Sequence, residues 1–318
     1  MTTAERYVKF AATEARGRSP LYERLSLDVA NDDEILAVLE RVPEPKRQPN
    51  LLFASTRYLG WSGADFQSLR TFVVTHASQI EEMLNERTTQ TNEVGRCSVL
   101  LPALAKIDGP VALLEVGASA GLCLLVDRFH YSYGTFQIGD AASGVNLDCA
   151  LLGDEPLIGA MPRISWRRGI DLAPIDVLDP AQTRWLEACV WADQPQRLAR
   201  LRAAIGLAES DPPRVLRGNL LDLTPTVALE APRGSTLVVM HSATLANLDP
   251  AARERFVAMV RALDCMWVSN EAPGVVPGLD AALLREAERR GAFILAEGNR
   301  GLGLADPHGA WLELIDER

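Results

Sequence analysis

The sequence predicts an α/β fold with a mostly parallel sheet behind a helical N-terminal region, on three observations. From Val111 onward, apolar strands alternate with amphipathic helices, the pattern of parallel strands joined by crossovers. Residues 1 to about 106 carry helical periodicity and no good strand. Between them lies VALLEVGASAGL, Val111–Leu122, an apolar strand, a small-residue turn and the start of another apolar segment. The division expected is a helical domain or lid over residues 1–106 and a core over 107–318, with an insertion at about 131–162.

In the first region Tyr7, Phe10, Ala11 and Ala15 fall on one helical face, as do Ile35, Leu36, Val38 and Leu39. Leu69, Phe72, Val73, Ile80 and Leu84 continue this across a break at His76 and Ala77, and turn signals stand at 17–20, 43–49 and 60–63. Cys97, Leu100, Leu101 and Leu104 form a stripe that starts a helix near Asn92, with Glu93 in its first turn. After Val111–Val116 comes a helix over Leu122–Phe129. Six further strands are expected at Arg163–Ile170, Arg214–Arg217, Thr236–His241, Met266–Asn270, Ala292–Glu297 and Ala310–Ile315. The helices between them are expected at about Ala181–Trp191, Gln194–Ala208, Pro250–Leu263 and Gly278–Arg290. GNRGLGLADPHG joins the last two strands without a helix, so the sheet should close in an antiparallel hairpin. YGTFQIGDAASGVNLDCALLG reads as an inserted hairpin.

At 318 residues and 47% hydrophobic content the chain can bury a large core. A net charge of −10 leaves no diffuse basic surface for phosphates, which argues against nucleic acid as a partner and favours a small-molecule substrate. Five scattered cysteines without a CxxC pair suggest reduced thiols, and no metal site is expected. No signal-like N-terminus or apolar run of about 20 residues is present, so a cytoplasmic location without membrane attachment is expected. Nothing in the sequence indicates the oligomeric state.

Gly117, Ser119 and Gly121, with Glu115 two residues upstream, leave little bulk at the end of the first strand and would let a ligand approach the backbone. This acid-x-Gly-x-small-x-Gly spacing is similar to motif I of class I S-adenosylmethionine (SAM) methyltransferases. The terminal hairpin fits the same plan better than a dehydrogenase plan, where another crossover helix would follow. The fold expected is therefore a Rossmann-like class I methyltransferase fold, a seven-stranded mostly parallel sheet with its last strand antiparallel.

Each strand end supplies candidates. Asp171, closing RISWRRGID, can accept both ribose hydroxyls of an adenosine; Asp140 in FQIGD lies at the more usual spacing from the glycine turn, but in the inserted hairpin. Asn219 and Leu220 in RGNLLDL would contact adenine, with Asp222 as the alternate. His241 emerges from TLVVMHS at the carboxyl edge of the sheet as a general base. Asn270 and Glu271 end the next strand, facing substrate. Before the first strand, the polar run ahead of the helix places Asn92 and Glu93 over the glycine turn as catalytic candidates beside His241 and Glu271, and Arg96 could pair there with the carboxylate of the cofactor's methionine moiety. Lys46, Arg47, Gln48 and Asn50 are expected at a cleft or domain junction.

EARGRSPLYERL, KRQPNLLFAS, RTTQTNEVGRC, LLEVGASAGL, GIDLAPIDV, RWLEACVW, HSATLANL, SNEAPG and ADPHGAWLEL together resemble the bacterial domain of unknown function 2332 family over nearly the whole chain. That resemblance implies a methyltransferase-like core with a helical extension and no particular reaction. Asn219 stands where an acid is expected of the family, and Ser119 replaces the middle glycine of the wider superfamily. The leading expectation is a SAM-dependent methyltransferase acting on a small molecule, with the N-terminal helices closing over the site. A non-catalytic SAM- or nucleoside-binding protein, and a hydrolase or NAD-dependent enzyme on a Rossmann core, are the alternatives.

Overall fold

The computed structural model describes residues 1–153 and 158–315. Residues 154–157, part of the insertion expected at 131–162, lie outside the described residues. The chain forms two compact units, residues 1–91 with 179–199, and residues 92–178 with 200–318. The break thus falls at 91/92 rather than near 106, and a stretch expected in the core, 179–199, groups with the N-terminal helices.

The first unit is helical, and its helix starts follow from short polar caps. Thr2 and Glu5 form a capping box on α1 (Thr3–Phe10), which runs into a π-helical turn at Ala11–Ala15. Ser19 caps α2 (Pro20–Val29), Asp32 caps α3 (Asp33–Leu39), and Gly60, at φ 111°, ends α4 (Pro49–Leu59). Asp65 caps α5 (Phe66–Thr75), which breaks at His76 before α6 (Ala77–Glu86), as the periodicity predicts. Tyr22 packs edge-on to Phe53 with centroids 4.7 Å apart, and Trp191, from the later segment, stacks on Tyr22 at 5.2 Å. The basic turn before α4 is tied to chain within this unit. Lys46 Nζ donates to Arg87 O, Arg47 to Val42 O and Gln48 to Pro45 O, while Asn50 Oδ1 accepts the Trp191 indole N–H.

In the second unit, α7 (Cys97–Leu104) follows a short 3-10 turn at Val94–Arg96, slightly later than the expected start near Asn92. The strands are β1 (Pro110–Val116), β2 (His130–Tyr133), β3 (Phe136–Gly139), β4 (Asn146–Asp148), β5 (Ala150–Leu151), β6 (Arg163–Asp171), β7 (Val215–Arg217), β8 (Thr236–Ser242), β9 (Met266–Glu271), β10 (Phe293–Glu297), β11 (Arg300–Ala305) and β12 (Trp311–Leu314). In the first unit the later segment supplies α8 (Pro180–Ala188), and α9 (Pro195–Glu209) runs from it into the second. The remaining helices are α10 (Leu220–Ala228), α11 (Pro250–Arg261) and α12 (Ala281–Arg290).

Among the described residues the main sheet has nine strands, in the order β5-β12-β11-β10-β9-β8-β1-β6-β7, and not the seven expected. β7, β6, β1, β8 and β9 are parallel; β10, β11 and β12 follow antiparallel, and β5 joins the far edge parallel to β12. One extra strand, β11, comes from the segment expected to be a connection. Its glycines read as turn residues, yet a Cβ at Gly303 would meet the backbone of β12 and one at Gly301 would meet Leu283. The inserted hairpin is real, and β2, β3 and β4 make a separate three-stranded sheet.

Leu114, Val116, Ile170, Val239 and Trp267 face α10, α11 and α12 in one apolar core. On the opposite face α7 packs against β9 and β10. Gly169, beside Glu115 in the register, allows β6 to approach the turn after β1, because a Cβ there would crowd Ala118 and Val215. Gly169→Val is expected to lower stability by about 1–3 kcal/mol through this overpacking, read as a lower urea midpoint at unchanged slope; an unchanged midpoint would refute the packing argument.

Candidate functional site

The chain leaves β1 for β6 and β7 on one side and returns to β8 on the other, so the order reverses between β1 and β8. In open sheets of parallel strands, ligands bind outside the carboxyl ends at such a point. Two turns form its lips, 117–121 after β1 and 242–245 after β8. Each carries a non-glycine residue in the left-handed region, Ser119 at φ 52° and Ala243 at φ 53°. Such backbone persists only where surrounding contacts over-determine it, and it concentrates at binding sites.

The glycine turn is held from within. Gly117 N and Ala118 N donate to Ile170 O, and Gly121 N to Ala118 O. Ser119 N donates to Asp171 Oδ2 at 2.8 Å and Leu122 N to Asn92 Oδ1 at 2.9 Å. The expected helix over Leu122–Phe129 is a 3-10 segment, Leu122–Arg128, that follows Gly121 at φ 70° and is interrupted at Leu125. It therefore offers no α-helical dipole end, and the amide that would have opened such a helix is taken by Asn92. The glycines also serve packing, since a Cβ on Gly117 would run into the Thr244 side chain and one on Gly121 into Pro213 and Val215.

Asp171 does end its strand beside this turn, with Oδ2 on Ser119 N and Oδ1 on Ala173 N at 2.8 Å. Each oxygen keeps a second acceptor position. Asp140 lies in an exposed turn and caps Ala142 N. Asn219 is the N-cap of α10, a helix the sequence reading missed, and its Oδ1 accepts Leu221 N at 2.9 Å. That oxygen serves the cap and keeps a second acceptor position, while Leu220 is in the first turn and packs into the core.

Asn92, Glu93 and Arg96 are buried next to the glycine turn within the same unit. Glu93 Oε1 accepts Gly95 N at 3.1 Å and faces Arg200 at 3.5 Å, and its Oε2 lies 3.8 Å from His308 Nδ1. Arg96 donates to Pro307 O at 2.9 Å and Ser242 O at 3.4 Å. Cys123 is packed between Cys97 and this segment; a hydrogen bond from its thiol to Cys97, then burial, pushes that thiol well above the usual range.

His241 is not a base facing solvent or substrate. Its ring is fully buried; Trp267 Nε1–H donates to Nε2 at 2.8 Å, so the ring proton sits on Nδ1, 2.8 Å from Glu271 Oε1. The carboxyl end of the strand does reach the sheet edge, but the register puts His241 on the apolar face, where Phe256 and Trp267 enclose it. Glu271 is on the same face, and its Oε1 also accepts Thr244 N at 2.7 Å and Leu245 N at 3.0 Å. Thr244, Trp267 and Arg200 escaped the sequence reading. Alternation along WVSNE, which puts Trp267 and Glu271 on one face, was the one available signal.

The opposite face holds unpartnered acceptors. Register puts Glu115, Ser242 and Asn270 on it together. Glu115 Oε2 and Asn270 Oδ1 are buried without hydrogen-bond partners, although Asn270 Nδ2 donates to Ser242 Oγ at 3.1 Å. Burial, then the neighbouring Cys123 and Asp171, hold the Glu115 carboxyl well above its usual 4.5, against the opposing pull of Arg96. An open groove of about 740 Å³ in the first unit is lined by Trp61, Phe72 and His76 and includes none of these residues. Among the described residues no cluster of three or more His, Cys, Asp or Glu is arranged for a metal, and no helix is long and apolar enough to cross a membrane.

Sheet and strand-end turns thus define a mixed α/β protein with a large, mostly parallel sheet and buried polar groups gathered at its reversal point. The chain belongs to the bacterial family described as "Uncharacterized protein conserved in bacteria (DUF2332)", which matches residues 4–314. No curated protein and no solved structure matches it.

Because the folded carboxyl of Glu115 titrates above its unfolded value, its contribution is fully present below about 4.5 and is lost as pH rises toward the folded value. Glu115→Gln is therefore expected to gain stability relative to wild type between pH 5 and pH 8, measured by denaturant unfolding at both. A pH-independent difference would show that this carboxyl does not titrate as its burial requires.

Proposed function

We propose that the crevice between β1 and β8 binds SAM and that the protein is a methyltransferase acting on a small molecule. One observation carries the choice of ligand. The N–H groups of Gly117, Ala118, Ser119, Gly121 and Leu122 are spent inside the protein, which leaves no row of donors for a pyrophosphate, as NAD would need. The unpartnered groups there are instead acceptors, Glu115 Oε2 and Asn270 Oδ1, suited to a ligand that brings hydrogen-bond donors and positive charge. SAM fits that requirement through its ammonium and sulfonium groups.

Glu115 and Asp171, at neighbouring strand ends, are the residues assigned to hold it, with Arg96 toward its carboxylate. Bound SAM supplies an electrophilic methyl group. The chain's own task is then to hold the acceptor in line and keep water out, an effect worth up to about 7–11 kcal/mol. A dedicated base is not required, which agrees with a His241 ring engaged at both nitrogens. That same engagement favours one second reading, a non-catalytic SAM- or nucleoside-binding protein.

Titration calorimetry with SAM, S-adenosylhomocysteine and NAD is expected to show binding of the first two only. Asp171→Ala should weaken binding by about 10- to 150-fold, the scale of a lost charge-assisted hydrogen bond, while Asp140→Ala leaves it unchanged. Absence of binding by both adenosyl compounds would end this assignment, and the reverse ranking of the two aspartates would move the site. Retained binding with no methyl transfer across a broad acceptor panel would support the second reading.

A further inference from the structure

We infer that Trp267, His241 and Glu271 form a positioning relay that sets one lip of the crevice from behind the sheet, acting through Thr244. Its consequence for ligand rests on the reading above; its structural content does not. The relay begins at the Trp267 indole N–H, passes through the two nitrogens of His241, and ends on Glu271 Oε1. That oxygen also accepts the amides of Thr244 and Leu245. Three donors therefore converge on one buried carboxylate oxygen, while Oε2 has no partner.

The far end of the relay is a turn with little freedom left. Ala243 is held in the left-handed region with its N–H on Asn270 O at 3.1 Å. Thr244 Oγ1 lies 3.3 Å from Val116 O, and its side chain fills the space that a Cβ at Gly117 would occupy. The two lips of the crevice thus meet at Thr244 and Gly117. A buried carboxyl group is a costly way to fix two amides, since its lost hydration is offset only by the donors gathered on Oε1. What it gives in return is a defined position, with Oε1 orienting both amides and the ring of His241 orienting Oε1. Glu271 and His241 are positioning residues, and neither faces the crevice.

Glu271→Ala, Glu271→Gln and Trp267→Phe test this, each checked for cooperative melting, with amide hydrogen exchange at residues 244 and 245 and calorimetry with S-adenosylhomocysteine. Glu271→Ala should speed exchange at both amides and lower affinity by about tenfold or more. Glu271→Gln retains an accepting Oε1 and should stay within about threefold of wild type. Folded Glu271→Ala with unchanged exchange and affinity overturns the relay, as does Glu271→Gln falling as far as the alanine variant. If Glu271→Ala does not fold, Trp267→Phe decides: it leaves the carboxylate in place but frees His241, and unchanged exchange at 244 and 245 would refute the relay. A wild type that binds no adenosyl compound defeats the proposed function, and exchange still decides the relay.

Discussion

The carboxylate of Asp171 ties together the turns that follow β1 and β6, and the candidate site is built around the first of them. One oxygen holds Ser119 N and the other Ala173 N, so the turn after β1 and the turn after β6 share one anchor. Ser119 could not remain in its left-handed conformation without such a tether, and Ile175 N on Ser119 O closes the link from the other side. Everything assigned to the site depends on where this turn stands: Asn92 reaches it at Leu122, Thr244 rests on Gly117, and Glu115 lies just beneath.

Polar groups are sorted by sheet face, and this sorting decides which can meet a ligand. Alternation places His241 and Glu271 among Phe256 and Trp267, and Glu115, Ser242 and Asn270 on the other face. On the first face Trp267, His241 and Glu271 Oε1 bond one another, while Glu271 Oε2 and Ser269 Oγ are left without partners. The second face retains acceptors without donors, and a buried polar atom in that condition calls for a water or a ligand. Neighbours in sequence such as Asn270 and Glu271 therefore have different roles.

Much of the parallel half of the sheet was legible because Val111–Leu114, Leu237–Met240 and Met266–Val268 are apolar runs, the signature of strands buried on both faces. β11 was not, because Gly301 and Gly303 mimic a turn and only their closeness to Leu283 and β12 explains them. α10 was hidden for a related reason: it starts with Asn219 and contains Pro225, both of which read as loop. At the site, the positions of Asp171 and of Asn92–Arg96 beside the glycine turn followed from strand order and a periodic stripe. The environment of His241 did not, since its two partners lie 26 and 30 residues away and only strand register brings them together.

The pairing of β5 with β12 has a consequence for the exposed border of the sheet. β12 is a regular strand with unpaired main-chain groups on its outer side, and the two residues Ala150 and Leu151, donated from the far end of the inserted segment, occupy part of that side. A two-residue edge is too short to template another chain, so the insertion acts as a stopper against sheet-to-sheet aggregation. Its contact joins residues 150 and 311, a closure across a long stretch of chain, the kind of pairing that forms slowly. Without that pairing the outer side of β12 would stand open to the strands of neighbouring molecules.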